Sequence, residues 1–190
     1  APAPEIAFPA FVKPIAEGTG KGCGGKSLVN DAKELRSEAA RLIARHKQPV
    51  IVERYLSGRE FTVGVVGTGD AAEVIAVMEI AARPDADAKI YSFEIKEEWE
   101  RFVTLELVDD LEARRAAEVA PAAYRALECR DAGRVDLKST EAGEPQFLEV
   151  NPIAGLHPTH SDLPILTAKS GRDYDWLIGS IVASACERYG

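Results

Sequence analysis

Arg134-Val-Asp-Leu-Lys-Ser-Thr-Glu-Ala-Gly-Glu-Pro-Gln-Phe-Leu-Glu-Val-Asn151 reads as two strands joined by a tight turn. The strands run over 130–139 and 145–150, and the turn centres on Ala142 and Gly143. That turn pairs Lys138 with Phe147, Asp136 with Glu149 and Arg134 with Asn151. Side chains alternate along a strand, so Arg134, Asp136, Glu149 and Asn151 share one face. Val135, Leu137, Leu148 and Val150 take the other face and belong to a core. Two carboxylates directly opposite each other repel unless something compensates. Arg134 offsets part of the repulsion, and a hard divalent cation accepts this set of Asp, Glu and Asn oxygens. The plainer reading is a solvated hairpin face with an incidental ion pair. The metal reading depends on register, because a slip of one residue would send the two pairs to opposite faces.

Outward from the hairpin, strand and helix patterns are interspersed without regular βαβ alternation, which predicts an α+β fold. Strands are expected over 8–15, 50–55, 60–67 and 72–80, the last two joined by Thr68-Gly69-Asp70 as a hairpin turn. Helical spacing of Leu35, Ala39, Leu42 and Ile43 predicts a helix over 31–47, with Asn30 as its N-cap. A second helix is expected over 111–127, kinked or divided by Pro121, and a third over 173–188 with Trp176, Leu177, Ile181 and Val182 as its apolar stripe. Residues 81–89 read as a polar loop.

The chain of 190 residues carries a net charge of −8, which argues against a general nucleic-acid binder, since such a protein needs a basic surface. An acidic chain can still bind a nucleotide through local lysines and a metal ion. Three cysteines without recurring spacing form neither a disulfide framework nor a zinc signature. No stretch approaches the roughly 18 apolar residues of a membrane span, and the N-terminus lacks the pattern of a signal peptide. The expectation is a cytoplasmic protein with no membrane or nucleic-acid partner. His157 and His160 have no suitable third ligand close in sequence, so a substrate-loop or surface role is preferred to zinc.

Gly20-Lys-Gly-Cys-Gly-Gly-Lys-Ser27 matches the phosphate-binding P-loop pattern. A P-loop helix begins at its Gly-Lys pair, so that the first amides cradle phosphate. Here Leu28 and Val29 intervene. The other reading is a glycine-rich flap whose backbone amides cover phosphates, with Lys13 supplying charge from the preceding strand.

Several segments together resemble the D-alanine–D-alanine ligase family of ATP-grasp enzymes. They are Phe11-Val-Lys-Pro14 with Glu17-Gly-Thr-Gly20, Val52-Glu-Arg-Tyr-Leu-Ser-Gly-Arg-Glu-Phe-Thr-Val63, Phe93-Glu-Ile-Lys96, Gly133-Arg-Val-Asp136, Phe147-Leu-Glu-Val-Asn-Pro152, and Gly155-Leu-His-Pro-Thr-His-Ser161 with Leu163-Pro164. Each is weak alone, but their order and spacing are specific. The resemblance implies an ATP-grasp fold, with the remainder of a lid subdomain over 1–52 and a C-terminal subdomain over 53–190. It implies ATP and Mg2+ as cofactors, as one or two ions, with Mn2+ an acceptable replacement. Asp136, Glu149 and Asn151 match the metal ligands. Lys13 and Lys96 match lysines that contact phosphates, with Glu17 and Thr19 in the flap. Glu53, Arg54 and Leu56 lie in the segment that hydrogen-bonds adenine, Glu60 matches the ribose carboxylate, and Leu148 packs under the base. Arg134 and the Gly155 backbone match oxyanion-stabilising groups, and Ser161 lies in the substrate loop.

The activity implied by the resemblance is that of a carboxylate–amine ligase that uses an acyl phosphate, with amino-acid or amine substrates. The family's N-terminal domain precedes the matched region, so turnover is expected to need that domain in cis or in trans. A nucleotide-binding module without turnover is the alternative, and a homodimer is compatible with the sequence. Two departures bear on the amine. Glu97, Glu98 and Trp99 follow Lys96 where the family often has tyrosine, and Asp162 adds an acidic side chain beside Ser161. Acidic residues there discourage a nucleophile that carries its own carboxylate.

Overall fold

The structure, a computed structural model, describes residues 6–18, 20–82 and 103–189. The chain forms two compact units and crosses between them at Tyr55/Leu56, Ala81/Ala82 and Val103/Thr104.

In the first unit, β1 (Ala10–Pro14) pairs antiparallel with β2 (Leu28–Val29) on one side and with β3 (Val50–Arg54) on the other. Helix α1 (Ala32–His46) joins β2 to β3. The strict alternation of β1 buries Ala10 and Val12 against Val29, Leu35 and Leu42, and turns Phe11 and Lys13 to the opposite face. The N-cap of α1 is Asp31, not Asn30: its carboxylate accepts the Lys33 and Glu34 amides at 2.7 and 2.8 Å. Glu34 reaches back to the Asn30 amide at 2.7 Å, so the first turn is held reciprocally.

The second unit is a five-stranded sheet in the order β6-β5-β4-β7-β8. Its strands are β4 (Glu60–Val66), β5 (Glu73–Ala82), β6 (Val103–Leu107), β7 (Ala132–Ser139) and β8 (Pro145–Asn151). Helix α2 (Leu111–Ala126) covers one face and buries Ala113, Ala116, Ala120 and Tyr124 against Phe61, Val63, Val65, Val135 and Leu137. The other face carries Thr62 and Gly64, and against it lies α3 (Asp162–Lys169), followed by α4 (Tyr174–Tyr189).

Several expectations change. Helix α2 runs unbroken through Pro121, so the proline neither divides nor ends it. On α4 the buried residues are Leu177 and Ser184, whereas Trp176 and Val182 are exposed. Ser184 turns inward because it joins Thr68 and Arg188 around the Asp131 carboxylate, which Arg188 holds below the usual carboxylate range. Strand β6 and helix α3 were not expected from the sequence. The hairpin register holds at Arg134–Asn151 and Asp136–Glu149, then shifts: Leu137 pairs with Phe147 and Lys138 with Gln146. The bulge leaves Leu148 without a cross-strand partner.

Just ahead of β4, Arg59 gathers Glu79, Asp110 and Glu112 while its guanidinium lies 4.9 Å from the Phe61 ring centre. Asp110 also caps α2 through the Glu112 and Ala113 amides. The Arg59 contact, then these amides, hold the Asp110 carboxyl down at about 2 against an ordinary 3.8. A carboxyl depressed on folding contributes stability in full above its unfolded pKa and loses it as pH falls through the folded value. The melting temperature should therefore fall between about pH 4 and pH 2, and Asp110→Asn, which keeps a good N-cap, should flatten that slope. Circular dichroism melts across this range test it, and parallel slopes for the two proteins would refute it.

Candidate functional site

The polar face of β7 and β8 is built around Asp136. Arg134 donates from Nε and Nη2 to its two oxygens, both at 2.9 Å. Thr62 of β4, directly opposite in register, donates its hydroxyl to the same carboxylate at 2.7 Å. Asn151 donates its amide nitrogen at 3.1 Å. Arg134 also donates to Asp162, the first residue of α3. Burial by itself would lower the Arg134 pKa, but the Asp136, Asp162 and Glu149 carboxylates outweigh it and raise it.

Helix α3 reaches this face because β4 carries glycine at position 64, opposite Arg134 in register. A Cβ on Gly64 would meet Leu166 Cδ2 at 2.8 Å and Leu163 Cδ1 at 3.1 Å. The loop before α3 is tied across its base. Ser161, at the N-cap position, accepts the His157 amide at 3.1 Å instead of capping its own helix. A Cβ on Gly155 would lie 2.5 Å from the Ser161 hydroxyl, so these two predicted site residues sit against each other. Tyr174 of α4 donates to the Leu156 carbonyl at 2.9 Å and holds the same loop from the other side.

Among the described residues, no group of three His, Cys, Asp or Glu side chains is arranged to hold a metal ion. The donor set expected from the sequence, two carboxylates and an amide, is of the type a hard divalent cation accepts, and both oxygens of Asp136 are engaged here by Arg134, Thr62 and Asn151. Asn151 spends its nitrogen on Asp136, which leaves its oxygen for coordination, and Glu149 is exposed on the same face. Glu60, at the start of β4, is ion-paired with Lys138 at 2.8 Å. Leu148 stands at the bulge and Leu56 is half-buried.

Within the first unit, Lys13 is ion-paired with Glu53 at 2.7 Å, and Arg54 is exposed. Glu17 accepts from Gln48 at 2.9 Å. Lys96 and Thr19, and with them Glu97, Glu98 and Trp99, lie outside the described residues. The P-loop reading does not fit this unit. Strand β2 separates Lys26 from α1, so the helix amides are not at the Gly-Lys pair, and the Ser27 hydroxyl is buried in its own loop, accepting the Gly24 amide. Sequence reasoning missed Thr62 and the Arg134–Asp162 pair. Thr62 was detectable as the one polar residue in the run Phe61-Thr-Val-Gly-Val65.

The family model for the D-Ala D-Ala ligase C-terminus matches residues 3–183. The chain is similar to D-alanine–D-alanine ligases of Alcanivorax borkumensis (33% identity over 97% of the chain and 56% of the relative) and Bordetella petrii (34%, 95% and 53%). Among solved structures, it resembles the VanG D-Ala:D-Ser ligase of Enterococcus faecalis, with a TM-score of 0.71, 25% identity and coverage of 95% and 50%. The D-alanine–D-alanine ligase of Bacillus anthracis complexed with ATP gives a TM-score of 0.70 at 24% identity, covering 95% and 53%. The chain thus spans about half the length of the curated relatives it matches. With the match running from ahead of β1 through the hairpin into α4, the chain belongs to the D-alanine–D-alanine ligase family, has its ATP-grasp fold and corresponds to its C-terminal region.

Proposed function

We propose that this chain is the nucleotide- and magnesium-binding portion of a cytoplasmic ATP-dependent carboxylate–amine ligase that acts through an acyl phosphate. The observation that carries the reading is the shared face of Arg134, Asp136, Glu149 and Asn151, with Arg134 and Asn151 both fastened to Asp136. Magnesium held by Asp136, Glu149 and Asn151 would offset charge on the phosphoryl oxygens. Lys13 and Lys96 bind the phosphates, with Glu17 and Thr19 in the covering flap. Glu53, Arg54 and Leu56 receive the adenine, Glu60 the ribose, and Leu148 lies under the base.

In the first step a substrate carboxylate oxygen attacks the γ-phosphorus and the bond to the ADP oxygen breaks. In the second, an amine nitrogen attacks the acyl carbon, phosphate departs with the electron pair of the C–O bond, and the amine loses a proton. Negative charge gathers on the acyl oxygen, where Arg134 and the Gly155 amide stabilise it, while Ser161 holds the substrate loop in place. No covalent enzyme nucleophile is needed. The other half of the active site comes from an N-terminal domain, in cis or in trans.

Calorimetric titration of the full-length protein with ATP tests the assignment. Lys13→Ala and Glu149→Ala should each weaken magnesium-dependent binding by roughly tenfold to a hundredfold, the worth of one contact to a charged group. Lys26→Ala should leave it unchanged. No magnesium-dependent ATP binding in the parent protein would end this reading. Binding without ADP release for any carboxylate and amine would make the chain a nucleotide-binding module.

A further inference from the structure

The amine that completes the reaction is where Asp162 becomes informative. Arg134 is one cation in contact with two carboxylates, Asp136 from its own strand and Asp162 from α3, with Glu149 near enough to influence it. Asp136 and Glu149 belong to the proposed metal-binding set, so their charge is offset when a divalent ion is bound. Asp162 has no place in that set. Its carboxylate is what neutralises the guanidinium on the side of the loop that carries Gly155 and Ser161.

The fold holds Asp162 there by more than this contact. Leu163 and Leu166 are fully buried where α3 closes on Gly64, and Thr167 donates to the Leu163 carbonyl at 2.8 Å. The first turn of a helix also favours a negative side chain. Asp162 is therefore fixed at the mouth of the loop, with its side chain 29% exposed. An acceptor lying along the loop with its own carboxylate would approach this negative charge and find Arg134 already matched. Like charges brought together at a binding site are a strong ground for rejection.

We infer that Asp162 is a specificity-determining residue that directs the acceptor site towards amines without a carboxylate beside the nucleophilic nitrogen, and away from free α-amino acids. The inference rests on the ligase reading and narrows its substrate class.

The test compares two acceptors of the same shape, D-alanine and D-alaninamide, with the full-length protein, ATP, magnesium and a carboxylate donor. ADP release gives kcat/KM for each. The parent protein should prefer the amide, and Asp162→Asn should shift the ratio towards D-alanine by about tenfold, the scale of one charge contact at a partly exposed site. Asp162→Glu should keep the parent preference. A parent protein that prefers D-alanine, or a ratio unmoved by Asp162→Asn, overturns the inference while leaving the ligase reading intact. A second arm does not depend on turnover. With 15N-labelled arginine, the Arg134 Nη1–H signal, on the nitrogen that meets Asp162, should show no saturable response to acetate in the parent and a saturable one in Asp162→Asn. Equal responses overturn the inference. Failure to release ADP with every acceptor counts against the ligase reading, and the acetate titration still decides the role of Asp162.

Discussion

Asp136→Ala should lower the stability of the protein by about 3 kcal/mol as well as weakening magnesium-dependent ATP binding, whereas Glu149→Ala should weaken binding at little cost in stability. The two residues face each other in register and carry the same charge, yet their surroundings differ. Asp136 accepts from Arg134 twice, from Thr62 and from Asn151, and its side chain is only 14% exposed. Removing it leaves the buried Thr62 hydroxyl without its acceptor and strips Arg134 of its bidentate partner, with Asp162 as its remaining direct contact. Unsatisfied buried donors and half-dismantled charge pairs are the expensive cases. Glu149 is exposed and no bond of this network depends on it, so under the proposed reading its loss would weaken cation binding and scarcely touch the fold. Urea denaturation of both variants gives the comparison. Equal stabilities would mean that the Asp136 network does not hold the sheet together, and that the residue serves only as a ligand.

The same asymmetry shows which parts of the site could be read from sequence. Alternation in β7 and β8 placed Arg134, Asp136, Glu149 and Asn151 on one face, because side-chain direction in a strand follows from period two alone. The register near the turn could not be read that way, since a bulge at Leu148 depends on how the loop closes and changes no hydrophobic pattern there. Capping of α1 was off by one residue because Asn30 and Asp31 are both good caps, and only the geometry of the Lys33 and Glu34 amides separates them. Pro121 misled for a different reason. Burial of Ala116, Ala120 and Tyr124 on one helix face outweighs the loss of one backbone hydrogen bond. Asp162 was visible as an acidic residue beside Ser161, but its partnership with Arg134 was not. That contact spans 28 positions and depends on how closely α3 approaches β4.

That approach can be tested directly, because it passes through one missing side chain. Gly64→Val should destabilise the protein by about 2–3 kcal/mol, the usual cost of forcing extra methyl groups into a packed contact. The Cβ would already stand 2.8 Å from Leu166 Cδ2 and 3.1 Å from Leu163 Cδ1, and valine adds two branches beyond it. On the other side of β4 is the core under α2, so the strand cannot retreat and α3 must move. Leu166→Ala alone should also be costly, by about 2–5 kcal/mol, since it empties a fully buried site. Combined, the two changes should be less harmful than their sum, because the valine branches occupy space the leucine vacates. A coupling of about 1 kcal/mol or more from urea denaturation would establish that Gly64 seats α3, whereas strict additivity would show that the helix is positioned by something else. Displacement of α3 should also carry Asp162 away from the guanidinium. The Arg134 Nη1–H signal should then move in Gly64→Val and return towards its parent position in the double variant, tying the packing of an apolar helix face to the charge balance at the hairpin.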